Sequence, residues 1–243
     1  MHTVAKPSIV VLHGANGTAT IMRPLANELR ACADPISLNM LGHGGREVPE
    51  SISFASLADD VIAQMDARDV KRAYVFGFSS GGTTALYLAR HFPERFLGVA
   101  TLAAKYIFDA RTIAHWTYVA DPERLSRPGN TRAEELESDH RPQDWKKVTL
   151  LNRQFFFDLE DNAPLSDDDL RAITMPALIF SSNQDQIVPL DETLALAKLI
   201  PNAKPVIFQG QCHPFHVVPI PAIVKAICNW IGESEKVRAV SSS

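Results

Sequence analysis

Apolar residues gather in short unbroken runs along this chain, and amphipathic stretches separate them. Ser8-Ile9-Val10-Val11-Leu12 is the first such run, and it carries no polar interruption after Ser8. A run of that kind suits a strand buried on both faces, as in a parallel sheet. Ala73-Tyr74-Val75-Phe76, Phe96 to Leu102, Ala177-Leu178-Ile179-Phe180 and Pro205-Val206-Ile207-Phe208 repeat the pattern, and Ile36-Ser37-Leu38-Asn39 is a shorter version. Between them the period lengthens. Met22, Leu25, Ala26 and Leu29 share one helical face, with Pro24 in the first turn, where a missing N–H costs nothing. Phe54, Leu57, Val61, Ile62 and Met65 recur at helical spacing, and Ser56 with Asp59 resembles a capping box. Helices are also expected from Leu190 to Ile200 and from Ile220 to Ile231. Strand and helix in alternation predict an α/β fold, a mostly parallel, doubly wound sheet of about six strands.

One stretch breaks the rhythm. Residues 104–173 contain no convincing strand, only helical pieces rich in charge and aromatics, among them Trp116, Trp145, Phe155, Phe156 and Phe157. The expected organisation is a core from residues 1–103 and 174–235, a helical lid from 104–173, and a disordered tail over 236–243. Taken singly, each aromatic is best read as holding a small subdomain together. Collectively they offer apolar pocket wall, for which Tyr106, Trp116 and Phe156 are the candidates.

Bulk properties remove several function classes. At 243 residues the chain can bury one large core, and a net charge of −4 without a basic block speaks against a nucleic-acid or anionic-membrane partner. No segment is long and apolar enough to span a membrane, and the N-terminal apolar stretch is too short for a signal peptide. Cys32, Cys212 and Cys228 are odd in number and lack metal-type spacing, so reduced thiols in a cytoplasmic protein are expected. No His/Cys/Asp/Glu cluster has ligand spacing, and neither a metal nor another cofactor is predicted. The expected partner is a small-molecule acyl substrate, with the protein a monomer or homodimer.

The chemistry concentrates at Gly77-Phe78-Ser79-Ser80-Gly81, between an apolar run and the helix-forming stretch from Gly82 to Arg90. A serine with glycines two residues to either side is the pattern of a sharp strand–turn–helix, in which side chains at the glycine positions would collide. The turn leaves Ser79 strained and exposed at a helix N-terminus, which favours developing negative charge. With His13-Gly14 after the first strand, Asp185 in Ser182-Asn183-Gln184-Asp185 and His213 in Gly210-Gln211-Cys212-His213, the chain resembles the α/β-hydrolase family from Ile9 to Trp230. The order Ser, Asp, His is that family's order.

The resemblance implies Ser79 as nucleophile, His213 as general base and Asp185 as the group that orients His213. It also implies an oxyanion hole from the backbone amides of Ser80 and Ala15. The expected activity is cleavage of a small to medium carboxylic ester, thioester or lactone through an acyl-enzyme. The same triad could instead cleave a carbon–carbon bond or pass the acyl group to another acceptor, and a ligand-binding receptor with a slow triad is a further reading. A serine nucleophile argues against epoxide or haloalkane chemistry, where a carboxylate forms the covalent ester.

Other candidates take plainer readings. His216 lies three residues beyond His213 and is the weaker base; Asp191 and Glu192 read as dipole partners of a helix start. His13 reads as a loop-shaping residue, Cys212 as a packing residue, and His43, His91, His115 and His140 as surface or lid residues. The chain departs from the family pattern in three places. Few residues precede the first strand, so the usual N-terminal hairpin is expected to be missing. Asn39 stands where a carboxylate is usual, and Ser182 where a glycine is usual.

Overall fold

The computed structural model describes residues 6–160, 162–210, 213 and 215–241. Six strands, β1 (Ser8–Leu12), β2 (Asp34–Leu38), β3 (Ala73–Phe78), β4 (Phe96–Leu102), β5 (Ala177–Ser182) and β6 (Ala203–Phe208), form one sheet in the order β2-β1-β3-β4-β5-β6. Every neighbouring pair is parallel. The order reverses between β1 and β3, where the connections leave on opposite faces and open a crevice at the strand C-termini. Among the described residues no hairpin precedes β1.

Alternation along β1 sorts the core into two layers. Val10 and Leu12 point to the face covered by α2 (Phe54–Asp66), α3 (Ser80–His91) and α9 (Leu190–Leu199), with Leu57, Leu86 and Leu196 buried there. Ile9 and Val11 point to the other face, where α1 (Arg23–Leu29) and α10 (Ile220–Ser241) bury Leu25, Leu29, Ile227 and Trp230. Each fully buried aliphatic side chain of this kind contributes about 1.5–3 kcal/mol.

Between β4 and β5 come α4 (Ala110–Val119), α5 (Pro122–Leu125), α6 (Arg132–His140), α7 (Trp145–Phe157) and α8 (Asp167–Arg171). They hold a small apolar cluster of their own, Leu125, Leu136 and Trp145. Phe108, Ile113, Phe155 and Phe156, however, belong to the main core layer beneath α2 and α3. No helix among the described residues is long and apolar enough to cross a membrane.

Three expectations need correction, and a fourth, the acidic start of α9 at Asp191 and Glu192, holds and gains a further contact. The cap of α2 is Ser53, not Ser56: the Ser53 side chain accepts from the Ser56 amide, and the Ser56 hydroxyl accepts from the Ser53 amide. Phe54 is already helical, which moves the box one turn earlier. The stretch expected as a disordered tail from 236 is helical, because α10 continues to Ser241. Cys32 and Cys228 are not reduced thiols but a disulfide, 196 residues apart in sequence and 5.5 Å apart at Cα. The packing of α1 beside α10 creates that proximity, and sequence spacing carries no trace of it. Cys212 lies outside the described residues. Lastly, Glu192 does more than face a helix start. Its buried carboxylate takes Lys105 Nζ at 2.6 Å and the amides of Tyr106 and Ile107 at 3.1 Å each, tying the loop after β4 to α9.

Candidate active site

Ser79 sits between β3 and α3 with φ 53° and ψ −123°, a conformation that costs a non-glycine residue about 1–3 kcal/mol. Its amide donates to Leu102 O at 2.9 Å, and its carbonyl accepts from the amides of Gly82 and Thr83. The flanking glycines are required by contact. A Cβ on Gly77 would stand 2.1 Å from Gly81 O, and one on Gly81 would stand 2.3 Å from His13 O. The strand, the turn and the loop after β1 approach so closely that only hydrogen fits. Ser80 is the first residue of α3, so its amide has no intrahelical acceptor.

The loop after β1 is a tight turn closed by the Gly17 amide on Gly14 O at 3.0 Å, with Ala15 and Asn16 at its tip. His13 lies buried beneath. Its Nε2 accepts from the Met40 amide at 3.1 Å, so its Nδ1 carries the proton and donates to Gly14 O at 2.8 Å. His13 thereby shapes the loop locally, and Gly14 brings that loop against Ser79: a Cβ on Gly14 would stand 3.1 Å from Ser79 Cβ.

The acid and the base arrive from the far half of the sheet. Asp185 follows β5 and His213 follows β6. Asp185 Oδ1 accepts from the amides of Ile187 and Val188 at 2.9 Å each, while Oδ2 meets His213 Nδ1 at 2.8 Å. Burial pushes the Asp185 carboxyl up, but the His213 hydrogen bond and charge and the two amides outweigh it, and the group titrates below its usual range. His213 Nε2 lies 3.0 Å from Ser79 Oγ. The ring of Phe78 packs between those of His213 and Phe215, with centroids 5.2 Å from each. Hydroxyl, imidazole and carboxylate therefore stand in one hydrogen-bonded row at the sheet's C-terminal edge. His216 is exposed on the rim of the cleft and takes no place in that row.

A family model for the alpha/beta hydrolase fold matches residues 7–144. The chain belongs to the α/β-hydrolase fold family. It is 26% identical over 250 residues, 93% of this chain and 91% of the relative, to a protein of Caulobacter sp. (strain K31) named for carbamate hydrolysis, RutD. It is 25% identical to 2-hydroxymuconate semialdehyde hydrolase of Pseudomonas putida, over 82% of this chain and 77% of that one. Among solved structures, the enol-lactonase of Burkholderia xenovorans LB400 superposes with a TM-score of 0.75 at 20% identity, covering 96% of this chain and 94% of that one. That last likeness is one of fold.

Above Ser79 the hydrolase opens a cleft of about 950 Å³ whose wall includes Ala15, Phe78, Trp116, Arg132, Asp139 and His213. Of the expected pocket aromatics, Trp116 reaches this wall. Phe156 stacks on its back at 4.3 Å and is buried in the core. Tyr106 packs against the main core layer and is not among the cleft-lining residues described.

Both substituted positions make hydrogen bonds of their own. Asn39 Oδ1 accepts from the Ala19 amide at 2.7 Å and Nδ2 donates to Gly44 O at 3.2 Å, the second of which a carboxylate could not do. Ser182 Oγ accepts from the Gln184 amide at 3.3 Å.

Of the four histidines read as surface or lid residues, two are buried, His140 among them although it does lie in the inserted helices. His91 and His115 are exposed as expected, but His43 and His140 are 1% and 0% exposed. With His13 they form a row of rings, centroids 5.1 and 5.8 Å apart, behind the loop after β1. Burial lowers the pKa of His43 and of His140 to about 4, and holds His13 well below its ordinary value. In the unfolded chain all three titrate near 6.5. Between pH 6.5 and 4 the unfolded state binds protons that the native state refuses, so stability is full above that window and falls on acidification through it. For a histidine held at about 4 the loss is ~3 kcal/mol. The urea midpoint is therefore expected to be much lower at pH 4.5 than at pH 7.5, with a shallower fall in His43→Gln. A midpoint flat across that range would contradict the neutral cluster.

Proposed function

We propose that this hydrolase cleaves a small to medium carboxylic ester, thioester or lactone through an acyl-enzyme formed on Ser79. One observation carries the reading: Ser79 Oγ is 3.0 Å from an imidazole nitrogen whose other nitrogen is 2.8 Å from a carboxylate. His213 Nε2 takes the Oγ proton as Oγ attacks the carbonyl carbon, and the electron pair of the C=O moves onto oxygen. The amides of Ala15 and Ser80 stabilise that oxyanion, and the N-terminus of α3 adds its partial positive charge. Collapse expels the alcohol or thiol, which takes the proton back from His213. Water then repeats the sequence on the acyl-enzyme and frees the acid. Asp185 holds the tautomer of His213 and stabilises the imidazolium.

Residues 104–173, carrying α4 to α8, act in this reading as the cap over the core from 1–103 and 174–235, with Trp116 as acyl-pocket wall. A second reading, carbon–carbon cleavage by the same triad, draws on the 25% identity to 2-hydroxymuconate semialdehyde hydrolase. A panel of p-nitrophenyl esters of rising acyl length, with 2-hydroxymuconate semialdehyde beside them, separates the two. Turnover of the esters, fastest for short acyl chains, is expected. Turnover of the semialdehyde alone would overturn the ester reading in favour of the second.

A further inference from the structure

The tip of the turn after β1 is held from above as well as from below. His13 fixes Gly14 O from the core side. From the other side α7 presents Asn152, which is 2% exposed and whose Nδ2 lies 3.0 Å from Asn16 Oδ1, 2.9 Å from His43 Nε2 and 2.8 Å from Val148 O. His43 Nδ1 faces Leu41 O at 2.9 Å, so its proton sits there and Nε2 is bare. The atoms around the Asn152 amide nitrogen are thus acceptors, three of them sharing its two protons, and an oxygen in that place could donate to none. The Asn16 carbonyl also accepts from Arg132 Nη2 of α6 at 3.2 Å. Asn16 itself holds φ 55°, an orientation a free loop would visit only as one of several.

Ala15 immediately precedes Asn16, and an oxyanion donor is effective only when its N–H is aimed beforehand. The Ala15 N–H shares its peptide plane with the Gly14 carbonyl, which His13 and the Gly17 amide hold on one side of the turn. We propose that Asn152 is a positioning residue: through Asn16 it anchors the other side of that turn and keeps the Ala15 amide aimed, so that the inserted helices complete the oxyanion hole. The inference rests on the Ser79 reading above. It goes further, because it makes α7 part of the catalytic frame and not only a cover over the substrate.

Asn152→Leu removes the donor at similar volume. Asn16→Gly removes the acceptor while keeping the positive φ accessible. Each is expected to lower kcat on p-nitrophenyl acetate about 10- to 100-fold with KM within about twofold, since the lost interaction acts only when charge develops. The second substitution made on top of the first should add little, because both break one link. A fluorophosphonate gives a readout independent of the true substrate: Ser79 Oγ bonds to phosphorus, fluoride leaves, and His213 takes the proton, with the phosphoryl oxygen in the same hole. Its labelling rate should fall by a similar factor in both variants.

Full kcat and labelling rate in a folded Asn152→Leu protein would overturn the proposal, as would fully additive losses in the double variant. A rise in KM with kcat unchanged would overturn it too, by marking a substrate contact instead. Should Asn152→Leu fail to fold, Asn16→Gly alone decides by the same measures. A wild type that labels at Ser79 but turns over no ester would sink the ester reading, and the labelling rates would still test Asn152.

Discussion

Ser79→Ala is expected to lower kcat for ester hydrolysis by about 10⁶-fold while leaving the fold and the KM for short p-nitrophenyl esters nearly unchanged. The size follows from what the hydroxyl does. In the proposed mechanism it is the atom that joins the acyl group, so its removal would leave only the oxyanion donors and the cleft to assist a water molecule. The fold is spared because the turn is built by backbone. The Ser79 amide and carbonyl are bonded to Leu102, Gly82 and Thr83, and the close approach comes from Gly77 and Gly81. Alanine in the positive-φ conformation carries much the same strain as serine. Steady-state kinetics alongside a thermal melt check both halves. Retention of full activity would remove Ser79 from the mechanism.

Asp185→Asn should cost about 10⁴-fold in kcat at neutral pH, again without unfolding. The local hydrogen bonds dictate which way the new amide points. Two backbone amides, of Ile187 and Val188, converge on Oδ1. The asparagine carbonyl must face them, which turns its NH2 towards His213 Nδ1. That nitrogen then has to accept, so the ring's proton moves to Nε2 and faces Ser79 Oγ. An imidazole already protonated on that side cannot take the serine proton. Asp185→Ala lacks this enforced tautomer and should lose no more than the asparagine variant. A profile in which the asparagine variant keeps wild-type kcat would refute the orientation argument.

The parts legible in the sequence were those written in local pattern. The apolar runs gave β1 and β3 to β5 within a residue or two, because strands buried on both faces need uninterrupted hydrophobics, and β6, a half-exposed edge strand, kept enough of the pattern in Val206 to Phe208. The spacing of Gly77 and Gly81 around Ser79 was legible because backbone contacts near 2 Å from a would-be Cβ leave no alternative residue. The order of Asp185 and His213 placed both after strands, and the parallel sheet then sets them at one edge.

What escaped depends on contacts between distant segments. Cys32 meets Cys228 only because two helices share a sheet face. His43 and His140 look like ordinary polar residues, yet His43 meets Asn152 of α7 and His140 of α6 takes the Gly44 amide, each from a distant part of the chain. Tyr106, Phe156 and Glu192 show the same limit: Glu192 of α9 meets the loop after β4 that carries Tyr106, and Phe156 of α7 stacks on Trp116 of α4. Asn152 had no signal of its own, since an asparagine in mid-helix is usually solvent-facing and its role comes from what lies across the interface.

The central claim is that the Ser79 hydroxyl is the group made nucleophilic by His213. Mass-spectrometric mapping of a fluorophosphonate adduct on the wild-type protein tests it most directly. A single adduct on the peptide bearing Ser79, absent from Ser79→Ala, is the predicted result. An adduct on any other residue, or an unreactive Ser79 in the folded protein, would contradict it.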